Sequence, residues 1–122
     1  MKLMKVTDAE MEIMKIIWEE NKQMTTADVL EKLPKENSWK TTTVMTFVTR
    51  LIEKGVLSVN KVGKLNNYSA KVTQEEYKAA QSGLFLEDMF NGSIKSFMAT
   101  LYNSKKISKK DISDLKKWIK EV

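Results

Sequence analysis

The chain contains no cysteine and no histidine among its 122 residues. The absence of cysteine excludes disulfide bonds, thiolate metal sites and a cysteine nucleophile. The absence of histidine removes the commonest general base and the commonest nitrogen ligand of zinc and copper. The sequence also shows no glycine-rich phosphate loop and no paired carboxylates at a plausible site. We therefore expect a protein that is not an enzyme and that uses no metal ion or cofactor.

Long hydrophobic runs are also missing. No segment reaches the roughly 18 apolar residues that are needed to span a bilayer, and residues 1–10 lack the apolar run of a signal peptide. The composition, 42% hydrophobic and 30% charged, is that of a chain that can bury a core. We therefore expect a folded cytoplasmic protein without a membrane partner.

The positive charge is concentrated in one part of the chain. The net charge is +5, and residues 37–71 contain five lysines and one arginine against a single acidic residue, Glu53. A basic segment inside a mixed chain is typical of proteins that bind a polyanion such as nucleic acid. The alternative is a lysine-rich solvated surface without a ligand.

Four N-terminal capping boxes predict where helices begin. They start at Thr7, Thr25, Thr73 and Ser108, and each has Asp or Glu three residues later. Apolar residues follow at helical spacing, and the single proline, Pro34, ends the second helix. The third box predicts a long helix to about residues 91–92. A shorter helix is predicted over residues 94–102, before the last one.

A further helix is predicted in the stretch SWKTTTVMTFVTRL, residues 38–51. Its apolar residues gather on one face, and Gly55 can end it in the left-handed conformation. After Gly55 the period of the pattern changes from 3.6 to 2. Two β-prone runs, residues 56–61 and 65–71, flank Val62-Gly63-Lys64 and predict a hairpin.

This order of elements is that of a winged helix-turn-helix domain. In such domains the third helix enters the major groove and the hairpin, or wing, lies against the adjacent backbone. Exposed helix faces usually contain Glu, Lys and Gln, because these residues favour the helix more than threonine does. A threonine-rich face therefore indicates that the face has a functional role. Small threonines let the backbone approach DNA, and they offer hydroxyls to phosphates or base edges and methyls to thymine. The predicted DNA contacts are Lys40, Thr41, Thr42, Thr43, Thr46, Thr49, Arg50, Lys61 and Lys64.

The last third of the chain is dense in apolar residues. Three helices of about fifty residues in all are too few to bury them internally. A two-fold partner would bury them and would place two recognition helices on one operator. The alternative is that these helices pack on the winged domain of the same chain. The predicted dimerisation residues are Leu84, Phe85, Met89, Phe97, Leu101, Ile112, Leu115, Trp118 and Ile119.

The predicted fold class is therefore mainly α with a small β-hairpin wing. A winged helix-turn-helix domain over residues 1–72 is followed by a three-helix dimerisation domain over residues 73–122. The alternative function is a winged-helix protein-interaction module without specific DNA binding. The basic segment argues against that alternative, because an interaction face would more often show exposed aromatic residues.

Three stretches, AEMEIMKIIWEEN, WKTTTVMTFVTRLIEKGVL and NNYSAKV, resemble the penicillinase repressor family of the BlaI/MecI type. The resemblance covers essentially the whole chain. It implies a dimeric repressor with a palindromic operator in a β-lactam resistance or related operon. The positions of the recognition helix that it places in the groove are Thr42, Thr43, Met45 and Thr46. Family members often have a basic residue in this region, where this chain has Met45.

Two departures from the family pattern concern the inducing signal. Related copper-responsive repressors have a cysteine-rich metal motif, which this chain lacks, so that mode of sensing is excluded. The resistance repressors are inactivated by proteolysis at an Asn–Phe bond in the dimerisation domain. The matching position here is Thr100-Leu101, without the family's cleavage residues. The resemblance therefore implies a signal-activated protease as a further partner, with Thr100 and Leu101 as its candidate cleavage site.

Overall fold

The structure is a computed structural model that describes residues 5–122. Six α-helices, one short 3-10 helix and one two-stranded antiparallel sheet occur in the described part of the chain, so the predicted fold class is confirmed. The elements are α1 (Asp8–Glu20), α2 (Thr26–Lys32), the 3-10 helix (Lys35–Asn37), α3 (Thr41–Glu53), β1 (Leu57–Val62), β2 (Leu65–Ala70), α4 (Gln74–Phe90), α5 (Ile94–Asn103) and α6 (Lys109–Glu121). None of the helices described is long and apolar enough to cross a membrane.

All four predicted capping boxes are present. At the start of α1, the Thr7 hydroxyl accepts a hydrogen bond from the Glu10 N–H, and the Glu10 carboxylate accepts one from the Thr7 N–H. The same reciprocal bonds are formed at the starts of α2, α4 and α6. These bonds satisfy N–H groups that have no partner inside a helix, which explains why the helices begin at these residues.

The chain divides into two compact units, which meet between Gln81 and Ser82 inside α4. The first turns of α4 belong to the first unit, because Tyr77 is buried there and its hydroxyl accepts a 2.8 Å hydrogen bond from the Val6 N–H. The predicted domains, residues 1–72 and 73–122, place the boundary earlier, at the start of α4, and they stay a prediction. Residues 1–4 of the first predicted domain lie outside the described part.

The core of the first unit lies between α1, α2, α3 and the base of the hairpin. Met24, before α2, forms a pair of backbone hydrogen bonds with Tyr68 of β2, of 2.9 and 2.8 Å. This bridge ties the start of the helix-turn-helix segment to the hairpin. The buried apolar residues of the core are Val6, Ile13, Met14, Ile17, Met24, Val29, Leu33, Val44, Val48, Leu51, Val56, Leu57, Tyr68 and Tyr77.

The predicted hairpin is present, but its turn has two residues, because Val62 belongs to β1 and not to the connection. Val62 pairs with Leu65, so Gly63 and Lys64 make the turn, and Gly63 has a φ of +63°. A positive φ favours glycine because it has no Cβ to clash with the backbone. Gly55, with a φ of +81°, ends α3 in the predicted left-handed conformation.

The second unit, residues 82–122, consists of the rest of α4 with α5 and α6. Three phenylalanines, Phe85, Phe90 and Phe97, make mutual ring contacts with centroids 5.2–5.9 Å apart. No residue of this unit is buried. Large apolar side chains, among them Met89 and Trp118, are 65% and 57% exposed.

Candidate nucleic-acid interface

Helix α3 has the two faces that its sequence predicts. Val44, Val48 and Leu51 are fully buried in the core of the first unit. Thr43 is half-buried at the edge of the opposite face. The remaining predicted contact residues of this segment are exposed, and they are Lys40, Thr41, Thr42, Met45, Thr46, Thr49 and Arg50.

The start of α3 differs from that of the other helices. Lys40 is its N-cap residue, and no side chain forms a capping hydrogen bond there. Each of the other α-helices described has a Thr or Ser cap whose side chain accepts such a bond. The Thr43 N–H donates to the Lys40 carbonyl oxygen at 3.0 Å. The N–H groups of Thr41 and Thr42 are therefore the ones available to a phosphate oxygen, which the positive end of the helix dipole also attracts.

Two threonines on the exposed face form hydrogen bonds within the helix. The Thr46 hydroxyl donates to the carbonyl oxygen of Thr42 at 3.0 Å, and the Thr49 hydroxyl donates to that of Met45 at 2.9 Å. Such bonds to the residue four positions earlier occur where a threonine lies inside a helix. They fix both side chains before any ligand arrives.

Arg50 lies against an aromatic pair. Its guanidinium carbon is 5.9 Å from the ring centroid of Phe47, and the Phe47 ring is 5.1 Å from that of Trp39. A cation over an aromatic face is attracted to the ring and loses part of its freedom. The aromatic pair therefore holds Arg50 near the end of α3. This contact was not predicted from the sequence, although the three-residue spacing of Phe47 and Arg50 on one helix could have indicated it.

The exposed cations of this surface are free of acidic partners. None of the ion pairs within residues 5–122 involves Lys40, Arg50, Lys61 or Lys64. The two hairpin lysines are exposed at and beside the turn. Four positive charges of α3 and the hairpin are thus available to a polyanion.

Lys54 has a different role from these four cations. It is the C-cap residue of α3, and its ammonium group forms an ion pair and hydrogen bond with the fully buried carboxylate of Glu10 on α1. One carboxylate oxygen of Glu10, Oε2, has no partner. Burial raises the pKa of Glu10, but the hydrogen bond from Lys54, the Thr7 backbone bond and the Lys54 charge lower it by more, so that the pKa lies below its ordinary value. Lys54 therefore neutralises a charge inside the fold and anchors the end of α3.

Comparisons with known proteins agree on one family. The sequence model that describes the penicillinase repressor family matches residues 6–121 of this chain. The penicillinase repressor of Bacillus licheniformis is 30% identical over 120 residues, which are 98% of this chain and 93% of that protein. The methicillin resistance regulatory protein MecI of Staphylococcus aureus is 26% identical over 115 residues, 94% of this chain and 93% of that protein.

Two solved structures resemble part of the chain. The DNA-binding domain of the repressor BlaI superposes with a TM-score of 0.54 at 34% identity, and the match covers 62% of this chain and 92% of that one. The monomeric form of Bacillus licheniformis BlaI in complex with the blaP half-operator superposes with a TM-score of 0.52, at the same identity and coverage.

Proposed function

Since the chain belongs to the penicillinase repressor family, we propose that it is a transcriptional repressor that binds a palindromic operator as a homodimer. The family is one of repressors and not of enzymes. The main support for DNA binding is the surface of α3, on which exposed threonines are flanked by Lys40 and Arg50. The solved BlaI complex with a half-operator supports the same use of this fold.

Helix α3 enters the major groove in this proposal, and the hairpin lies against the neighbouring phosphates. Lys40 and Arg50 bind phosphates at the two ends of α3, and Lys61 and Lys64 bind them from the hairpin. These contacts give affinity for any DNA sequence, whereas the exposed residues of α3 between Lys40 and Arg50 face the bases. Thr43 contributes from the edge of this surface.

The second unit supports the homodimer. None of its apolar side chains is buried, and monomeric proteins rarely leave so many large apolar residues exposed in one region. A second copy related by a two-fold axis would cover them and would place two α3 helices on the two halves of a palindrome. The predicted dimerisation residues that are half-buried are Leu84, Phe97, Leu101, Ile112 and Leu115, and those that are exposed are Phe85, Met89, Trp118 and Ile119.

The proposal also covers which genes are regulated and how repression is released. The names of the relatives support a β-lactam resistance or related operon as the one it regulates, and a repressor that binds operator DNA would act in the cytoplasm. A signal-activated protease is proposed to cut at Thr100-Leu101. This bond lies inside α5, and a helix must open locally before a protease can bind it in extended form. Opening costs little in a single protomer, because no residue of α5 is buried there. It would cost more in the proposed homodimer, which covers Phe97 and Leu101.

The test is a titration of the purified protein against DNA from upstream of its own gene, by band shift at two salt concentrations and with unrelated DNA as competitor. We expect a competitor-resistant complex that contains two protomers. Four free cations in each protomer give eight phosphate contacts, so the logarithm of the binding constant should fall with the logarithm of salt concentration with a slope of about −7. Binding that is lost equally to competitor and salt would favour the protein-interaction module instead.

A further inference from the structure

Between residues 41 and 49, the exposed face of α3 lacks the side chains that most often read bases. Here this face consists of threonines and Met45, with no charged or amide side chain. Arg and Lys recognise guanine, and Asn and Gln recognise adenine, through paired hydrogen bonds. Direct recognition by this part of α3 therefore depends on hydroxyl and methyl groups.

The hydroxyl hydrogens at the centre of this face are already in use. A hydroxyl has one hydrogen to donate, and those of Thr46 and Thr49 are donated to the carbonyls of Thr42 and Met45. While these bonds last, neither side chain can donate to a base or a phosphate. The branched Cβ of threonine also restricts its rotamers, so each methyl group is held in one orientation.

Met45 extends this apolar surface. Its side chain is 50% exposed, and it neighbours Thr49 along the same face, because residues four apart in a helix lie next to each other. Thr46 also neighbours Thr49, because residues three apart lie next to each other on a helix. The three side chains together present methyl groups, a thioether and no free donor.

We propose that Met45, Thr46 and Thr49 recognise the C5-methyl groups of thymines in the major groove. Thymine is the only base that offers an apolar group there. This inference rests on the proposed function, because it requires α3 to lie in the major groove. Burial of one methyl group corresponds to about a fourfold gain in affinity, so a few such contacts distinguish a thymine-containing site from others.

The experiment uses the shortest duplex from upstream of the gene that forms a competitor-resistant complex. In the comparison duplexes, single thymines are replaced by deoxyuridine, which keeps every hydrogen-bonding group and loses only the methyl. We expect each contacted thymine to weaken binding about fourfold when replaced, and thymines outside the footprint to have no effect. Equal affinities for all thymine and deoxyuridine duplexes would overturn the inference.

Two matched variants at position 46 distinguish recognition by the methyl group from recognition by the hydroxyl group. Thr46→Val keeps a methyl group and removes the hydroxyl, and it should keep the preference for thymine over deoxyuridine. Thr46→Ser keeps the hydroxyl without the methyl, and it should lose that preference at one thymine. Position 46 is exposed, so both variants should unfold at the temperature of the parent protein, which circular dichroism can check.

The two possible failures are distinguishable. If no duplex forms a competitor-resistant complex, the proposed function fails and the inference fails with it. If the complex forms but Thr46→Val weakens it tenfold and Thr46→Ser does not, Thr46 acts through its hydroxyl. Only the methyl-reading inference would then be wrong.

Discussion

Replacement of Lys54 by methionine should destabilise the first unit strongly. The change leaves the fully buried Glu10 carboxylate without its cation, and one of its oxygens already has no partner. Removal of one member of a buried ion pair costs about 3–5 kcal/mol. Protonation of an ordinary glutamate at pH 7 costs about 3.7 kcal/mol, and the variant can escape the unpaired charge in this way. We therefore expect a loss of about 3–4 kcal/mol in the free energy of unfolding.

The pH dependence of the stability loss shows whether the unpaired Glu10 carboxylate causes it. In the parent protein the pKa of Glu10 is lowered by folding, so its contribution to stability is present above the ordinary pKa and is lost as the pH falls through the folded value. In Lys54→Met the pKa of Glu10 should instead be raised, so the variant gains stability as the pH falls from 7 towards about 4.3. The difference between the two proteins should therefore shrink in acid.

The assay is urea unfolding followed by circular dichroism, at one protein concentration and at pH 7 and 5. Lys15→Met is the matched control, because Lys15 is an exposed residue of α1, and it should change stability by less than about 0.5 kcal/mol. Adding Glu10→Gln to Lys54→Met should recover much of the loss, since a neutral amide needs no cation. A cost below about 1 kcal/mol, or one that does not vary with pH, would refute the reasoning.

Three further predictions concern DNA binding and assembly. Phe47→Leu should weaken binding about two- to fivefold, because it removes the ring that holds Arg50; a double-mutant cycle with Arg50→Ala should show coupling, and additive losses would exclude the positioning role. Lys64→Ala should weaken binding to all DNA sequences and reduce the salt slope by about one unit per protomer; an unchanged slope would remove the hairpin from the phosphate contacts. Ile112→Asp together with Leu115→Asp should give monomers that bind a full operator poorly, and an intact dimer in light scattering would place the interface elsewhere.

The features that could be predicted from the sequence are those with local causes. A capping box needs only residues three apart, and all four boxes were predictable for that reason. The position of the turn at Gly63 and the end of α3 at Gly55 likewise depend on single glycines that tolerate positive φ. The apolar face of α3 follows from its helical period.

The missed features join residues that are far apart in the chain. Glu10 was predictable as a capping residue, but its partner Lys54 lies 44 positions away, and the sequence offers many other lysines. The bond between Val6 and Tyr77 spans 71 positions. Such pairs depend on how the helices pack, which no local pattern specifies.

The candidate site shows the same division. Exposure of Thr42, Thr46 and Thr49 follows from the period of α3, whereas the direction in which the Thr46 and Thr49 hydroxyls donate does not. A threonine in a helix can point its hydroxyl to the backbone or to a ligand, and only the structure distinguishes the two. The sequence alone therefore left hydroxyl and methyl contacts equally open.

The absence of buried residues in Ser82–Val122 has a consequence for how much of this protein a cell must make. A segment that buries little cannot offset the entropy of ordering its chain. In the proposed homodimer, we therefore expect its folded fraction to rise with protein concentration. In a cell with few copies, molecules would then be incompletely folded and open to general proteases. Repression would collapse below a threshold copy number, and dilution by growth after synthesis stops would switch the operon on more sharply than the loss of operator occupancy alone.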